Sequence, residues 1–295
     1  MRARAPASSA NLGPGFDTLA VALSLYVEVE VEDAEALSVR STGEGSDLSL
    51  DASHLAVRVA AEVRGHDRLA VSVRSDIPVG RGLGSSAALA AAAAAAAGAP
   101  DPLAVAAAAD GHPENAAASV LGGLVTATVV GGRPVASRLL LDPALAFVVL
   151  VPSRSLPTEQ ARSALPSEVP YADATFNLGR MGLLLAGLAD RRLLVPEAAE
   201  DRLHQGARAV LFPEAPELMA RLIAAGARAT CWSGAGPSLL AICGLEDASR
   251  LRTAGRQLLD DAGVEGRALL LEPDVDGLTI EGEGPPIHRP RSALG

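Results

Sequence analysis

Pro78-Val79-Gly80-Arg81-Gly82-Leu83-Gly84-Ser85-Ser86-Ala87-Ala88 follows an alternating run, Leu69 to Arg74, that reads as a strand. It opens an alanine-rich run to about Ala97. Alanine has the best intrinsic helix propensity, so that run reads as a helix. Three glycines within five residues, Gly80, Gly82 and Gly84, let the backbone turn tightly and come close to a ligand. Ser85 and Ser86 are natural N-caps, and a helix that starts there offers free N–H groups and a positive dipole end to an anion. The same residues also read as a plain strand–turn–helix link with a serine cap, because a glycine-rich loop alone is weak evidence.

The composition narrows how such a loop could work. All 25 basic residues are arginine and none is lysine. Schiff-base lysines and P-loop lysines are therefore excluded, and a phosphate here must be held by backbone N–H groups, a helix dipole, a metal or arginine. The formal net charge of −10 argues against nucleic-acid binding, which needs a basic face. A chain of 295 residues suits one large domain or two medium ones. Half of it is hydrophobic yet only 2% is aromatic, so the core must pack by close helix approach. Cys231 and Cys243 make neither a disulfide framework nor a zinc spacing, which suits a reducing, cytoplasmic setting. The alanine run is too short and too weakly apolar to span a membrane, and no apolar segment follows the first ten residues as a targeting peptide requires.

Outward from the loop, residues 2–7 read as a strand, 8–17 as a Gly/Pro/Asn loop, and 19–32 as a half-exposed strand through the alternation from Tyr26 to Glu32. A short strand is expected near 36–41 and a helix over 54–64. Two further helices run over 101–110 and on to Leu121, and a strand pair over 124–130 and 134–141. After a boundary at Asp142-Pro143, a buried strand at 147–152 precedes helices near 158–164, 173–190, 197–209 and 214–225. Strands at 228–232 and 238–243, a helix at 246–262 and a strand at 267–272 complete a mixed α+β order. The expected division is 1–142, 143–281 and a Pro- and Arg-rich tail, 282–295, of disordered character.

Other segments carry chemistry. In Ser8-Ser9-Ala10-Asn11-Leu12-Gly13-Pro14-Gly15-Phe16-Asp17, Asn11 and Asp17 sit in a sharply bent loop where an amide and a carboxylate could grip a cationic group, or simply cap a turn. Gly111-His112-Pro113-Glu114-Asn115 places a His and an Asn at a helix start, facing a cleft or capping helices. Ser233-Gly234-Ala235-Gly236-Pro237-Ser238 is a glycine-rich turn between strands, either a ligand wall or a hairpin. Arg162 and Arg208 could each clamp a carboxylate, although most arginines are solvated surface residues.

Together these segments resemble the GHMP kinases. The residues Ser-Ser-Ala-Asn-Leu-Gly-Pro-Gly-Phe-Asp, His112-Pro113-Glu114-Asn115, Pro157-Thr158-Glu159-Gln160-Ala161-Arg162 and Asp201-Arg202-Leu203-His204-Gln205 narrow the resemblance to the homoserine kinases, over roughly residues 3–275. The resemblance implies a two-domain α+β fold, with an N-terminal domain like domain 2 of ribosomal protein S5, a ferredoxin-like C-terminal domain, and nucleotide between them. It implies phosphorylation of L-homoserine by ATP, on the way to threonine, and it suggests a homodimer. Pro78 to Ala88 would hold ATP, with Gly82 to Ala87 around its phosphates. Ser86 would approach Mg²⁺, Asp17 would bind the substrate ammonium, and Arg162 and Arg208 its carboxylate. Asn11, His112 and Asn115 would orient the hydroxyl. The family's metal-binding Glu falls on Ala108, which leaves Asp110 as a shifted substitute. The family's Asp is Glu114 here, and Gly206-Ala207 replaces the usual Pro-Tyr before Arg208. Two other readings stand beside this one, a GHMP kinase for another small alcohol and a homologue that has lost turnover.

Overall fold

A computed structural model of the chain describes residues 1–282, so the expected disordered tail lies outside the described residues from 283 onward. In chain order the first half holds β1 (Arg2–Ala10), β2 (Leu19–Asp33), β3 (Ser38–Gly43), α1 (Leu55–Arg64), β4 (Leu69–Ser75), α2 (Ser85–Ala96), α3 (Pro102–Asp110), α4 (Pro113–Leu121), β5 (Leu124–Val130) and β6 (Arg133–Leu139). The second half holds β7 (Leu145–Pro152), α5 (Thr158–Ser163), α6 (Tyr171–Ala189), α7 (Gln205–Arg208), α8 (Ala215–Ala224), β8 (Ala229–Trp232), β9 (Leu239–Gly244), α9 (Leu245–Asp261), β10 (Gly266–Leu271) and β11 (Thr279–Ile280). No described helix is long and apolar enough to cross a membrane.

The larger sheet runs β11-β1-β2-β4-β3, with β5 and β6 continuing from the first residues of β2. β3 lies parallel to β4, with α1 as the crossover between them. The register of β1 against β2 shifts between Pro6 and Ala7, where proline cannot give a ladder N–H. β1 continues to Ala10, beyond the strand expected at 2–7. Ser8 and Ser9 look like loop residues, but both are buried and each finds a side-chain hydrogen bond. The smaller sheet has the order β10-β7-β9-β8, all antiparallel, which is the strand order of a ferredoxin-like β-α-β-β-α-β unit.

β7 joins the two halves. All eight of its residues are buried. Leu145, Phe147, Val149 and Val151 belong to the main core, with Leu184 and Leu188 of α6. Ala146, Val148 and Leu150 face a second core with Leu218 and Leu222 of α8 and Leu251 and Leu258 of α9. Its unbroken apolar run follows from having no solvent face. Residues of the second half also complete the larger sheet. Asp274 exchanges backbone bonds with Ala22 and Gly123, and β11 pairs with β1, although the sequence division places everything from 143 to 281 in the second half.

Two expectations change. Ser85 and Ser86 do not cap α2. Gly84, at φ 63°, is the N-cap and supplies no side-chain bond, so both serines are helical. The helix expected at 197–209 breaks into 3₁₀ turns over 196–199 and 209–211 around the single turn of α7. The cause is Asp201, whose carboxylate accepts from the amides of Leu203, His204 and Gln205 at 3.0, 2.8 and 2.7 Å and so replaces helical bonding.

α2 lies inside the first half, packed on β1, β2, α1, α3 and α4. Ala90 to Ala96 are all essentially inaccessible. Alanine lets backbones approach where larger side chains would hold them apart. Ala92→Leu keeps helix propensity but forces extra volume into this space. It should cost about 1–3 kcal/mol or more, read as a lower urea midpoint. An unchanged midpoint would show that α2 is loosely packed.

Candidate active site

Four of the sequence motifs meet at one cleft between the two halves. The 78–86 loop lines it throughout, as do Asp17, Asp110, His112, Asn115, Arg162, Arg208 and Gly234. Ala87 and Ala88 are buried beneath, in the first turn of α2. The loop is fixed by close backbone contacts. A β-carbon on Gly82, at φ +74°, would lie 2.1 Å from the Ser233 carbonyl oxygen, and one on Gly84 would lie 2.0 Å from Ser8 Oγ. Ser233 Oγ bridges Ser9 Oγ at 2.8 Å and the Gly82 carbonyl at 2.6 Å. Because Gly84 caps without a side chain, the first amides of the twelve-residue α2 stay open to an anion. The Arg81 side chain is no phosphate grip: its three nitrogens donate to the carbonyls of Val79, Pro152 and Ser153 and tie the loop to the end of β7.

Asp17 sits in a loop where Asn11, Leu12 and Asp17 all have positive φ, uncommon for residues other than glycine. Asn11 holds this shape. Its Oδ1 accepts from the Asp17 amide at 3.0 Å and its Nδ2 donates to the Gly234 carbonyl at 2.9 Å. Asn11 is buried and does not line the cleft, so it braces Asp17 rather than touching the space itself. The Asp17 carboxylate makes a forked ion pair with Arg162, at 2.9 and 3.0 Å. Both side chains are about 40% exposed, so the pair is worth only about 0–1 kcal/mol.

Arg208 is different, at 3% exposure. Nη1 donates to the Gly234 carbonyl and to His204 Nδ1, each at 3.0 Å. Nε faces the Ala161 carbonyl at 3.4 Å, which leaves Nη2 as the guanidinium's open edge. Burial pulls its pKa down to about 10, still cationic at neutral pH. Since arginine can only donate, His204 Nδ1 must accept, and the ring proton lies on Nε2, which donates to the Gly13 carbonyl at 2.9 Å. The imidazole also stacks on Phe16, 5.0 Å between centroids. Nothing in the sequence reading assigns a role to His204 or Phe16. Their signal was the motif 201–205 and its distance from the 11–17 loop, which only the fold closes.

Across the cleft, Asn115 Oδ1 accepts from Ser8 Oγ at 2.9 Å and Nδ2 donates to Glu114 Oε1 at 3.1 Å. His112 is the N-cap residue of α4, and its Nδ1 lies 3.3 Å from Asp110 Oδ2. That contact raises the His112 pKa above the usual imidazole value. Ala108 is exposed on α3 and takes no part in the cleft, whereas Asp110, two residues on, lines it. The far end of the cleft has apolar walls, Val27, Leu48, Leu55, Val73 and Leu89, with His54 and Glu44 beside them. Its loop, residues 44–54, carries no pattern that marks it as a ligand wall.

Two family models match the chain, the GHMP kinases N terminal domain over residues 54–123 and the GHMP kinases C terminal domain over 182–261. Homoserine kinase of Leifsonia xyli subsp. xyli is 38% identical, across 94% of this chain and 90% of its own. Homoserine kinase of Mycolicibacterium vanbaalenii is 43% identical, across 80% and 82%. The crystal structure of homoserine kinase from Cytophaga hutchinsonii superposes with a TM-score of 0.83 at 26% identity, covering 95% of this chain and 96% of that one.

Burial pushes the pKa of His204 down to about 4. A depressed histidine pKa means that the unfolded chain takes up protons the folded one refuses. The stability contributed by neutral His204 is present above the ordinary value of 6.5 and is lost as pH falls toward 4. Buried Glu114, with its pKa raised to about 7, contributes the opposite trend over part of that range, so the native urea midpoint should fall relative to that of His204→Gln as pH drops from 6.5 toward 4. Parallel slopes would show that His204 does not set the acid sensitivity.

Proposed function

The chain belongs to the homoserine kinases of the GHMP superfamily, and on that premise we propose a division of labour in its cleft for moving the γ-phosphoryl group of ATP onto the hydroxyl of L-homoserine. The chain is an ATP-dependent small-molecule kinase, and O-phospho-L-homoserine, its product, leads to threonine. One observation carries the assignment of residues. A carboxylate, two guanidiniums and a fixed amide line the same cleft as an open helix N-terminus. Homoserine offers one cation, one anion and one hydroxyl, and ATP offers the polyphosphate.

Asp17 takes the substrate ammonium, and Arg162 and Arg208 take its carboxylate. The Asp17–Arg162 pair already satisfies both charges, and the zwitterion replaces each partner with one of its own ends. Because the pair is exposed, opening it costs little. Residues 78–88 hold ATP, with backbone amides of 82–87 and the dipole of α2 around the phosphates, and residues 1–142 carry the nucleotide. The apolar end of the cleft takes the base. Arg162 and Arg208 come from the second half, 143–281, so substrate binding draws on both.

The donor set near the phosphates suits Mg²⁺, which prefers hard oxygen ligands and keeps several waters and phosphate oxygens. Ser86 and Asp110 would hold it, a hydroxyl and a carboxylate on the cleft wall. When bound, the ion offsets negative charge on the phosphates. In the transfer itself the substrate oxygen bonds to the γ-phosphorus and the bond from that phosphorus to the bridging oxygen breaks. ADP leaves with the electron pair, and the hydroxyl proton passes to solvent. Asn115 and His112 orient the hydroxyl, and the work is positioning and charge stabilisation.

Coupled ADP release with Mg-ATP tests the reading, with L-homoserine against L-serine, L-threonine and mevalonate. Turnover selective for homoserine is expected. Arg162→Ala should raise the homoserine KM about tenfold or more, with melting temperature nearly unchanged. Arg208→Ala should raise it while the ATP KM holds. An unchanged homoserine KM would remove that arginine from the site. Asp110→Asn should raise the Mg²⁺ concentration needed for half-maximal rate, and no change there would leave Asp110 without a metal role.

A further inference from the structure

We infer that Glu114 is a positioning residue whose buried carboxylate fixes which end of the Asn115 amide faces the phosphate loop. The inference rests on the reading above, in which Asn115 meets the substrate hydroxyl.

The two ends of an asparagine amide are nearly equal in size, and neighbours decide its sense. Asn115 has two such neighbours, Ser8 Oγ and Glu114 Oε1. A serine hydroxyl both donates and accepts, so Ser8 tolerates either sense. An ionised carboxylate only accepts, so Glu114 admits only the NH₂ end. Glu114 therefore selects, and Ser8 follows. With that selection Oδ1 lies beside Gly84, where a β-carbon would come within 3.1 Å of it. This places an acceptor against the phosphate loop. An acceptor receives the hydroxyl's hydrogen bond and leaves an oxygen lone pair for phosphorus. The reversed amide would present a donor that ties up the lone pair the reaction needs.

The environment of Glu114 supports a purpose of this kind. It is 1% exposed and lies behind the cleft wall, not on it. Its Oε2 has no hydrogen-bond partner among the described residues, and no ion pair holds the group. A buried carboxyl with one oxygen unpaired is costly, and an apolar residue in its place would remove that cost. The charged groups that face it are His112 at the start of α4, Asp110 at the end of α3 and Asp17 in the 11–17 loop. Burial raises its pKa to about 7. A protonated Glu114 can donate to the reversed amide, so selection weakens and turnover falls as pH drops through neutrality.

The test is steady-state kinetics of the native chain, Glu114→Gln and Glu114→Asp across neutral pH, with melting temperatures alongside. Glutamine is nearly isosteric but can present either an oxygen or an NH₂, and it does not titrate. E114Q should keep both KM values, lose about ten- to a hundredfold in kcat, and lose the acid limb near neutrality. E114D, which restores a carboxylate, should recover the limb and much of the rate. A folded E114Q with native kcat and a native acid limb overturns the inference. If E114Q does not fold, E114D decides, and a folded E114D without the acid limb overturns it equally. A native chain that does not phosphorylate homoserine at all overturns the functional reading and this inference with it, whereas native turnover with an unaffected E114Q overturns this inference alone.

Discussion

The site depends on two backbones that come closer than side chains allow. Gly82 in the 78–86 loop lies against the 233–236 turn, with room for no β-carbon on its side of the contact. On the turn side, a β-carbon on Gly236 would lie 2.4 Å from the Trp232 ring. One loop belongs to the half that contains α2 and the other to the half that contains β8 and β9. Their contact sets the width of the cleft and brings Arg208, which is bonded to Gly234, toward Asp17. The Ser233 hydroxyl then stitches the seam to Ser9 and to the Gly82 carbonyl, fitting in the narrow gap and satisfying groups that would otherwise be buried unpaired. The 78–86 loop is thus held through sterics and short polar links.

The charges of the cleft follow a second rule, that exposure decides function. Asp17 and Arg162 are half in water and pair with each other at little cost, so either is free to exchange partners. Arg208 is buried, bonded on most of its edge and stacked on Phe16, 5.5 Å from the ring centroid, so it is held ready and does not exchange. His204 stays neutral because burial forbids a second cation next to Arg208. In the reading proposed above, an exposed pair beside a buried cation suits a zwitterion, which carries both signs.

Much of this was legible in the sequence. The alanine helix and the unbroken run of β7 are local signals with one physical reading each, the glycine spacing marked a tight loop that was either a ligand site or a plain link, and the ordered motifs named the cleft residues from Asp17 to Arg208. What was not legible lies in contacts between distant residues. The roles of Ser8, Phe16 and His204 arise from partners more than a hundred residues away. The fracture of the 197–209 helix turns on one carboxylate's choice of amides, which helical spacing does not encode. Arg81 sits in the 78–86 loop yet spends its side chain on carbonyls, and Asn11 acts through Asp17. Motif membership placed both at the site but could not say which atoms face the ligand. Residues 44–54 have no periodicity, and their part in the cleft comes only from where the larger sheet holds them.

The pairing of β11 with β1 bears on how the chain reaches this state. Strands drawn from the two ends of the described chain share an edge, and loop closure over such a span is an entropic cost that falls late. During synthesis the first half can form α2 and most of its sheet, but β1 keeps an unpaired edge until residues 279–280 emerge. Meanwhile β7 has two apolar faces and only one core to bury them in. Closure of the β1 edge therefore waits on residues from the end of the described chain, and a nascent chain stopped short of β11 leaves β1 open at Ala3 and Arg4.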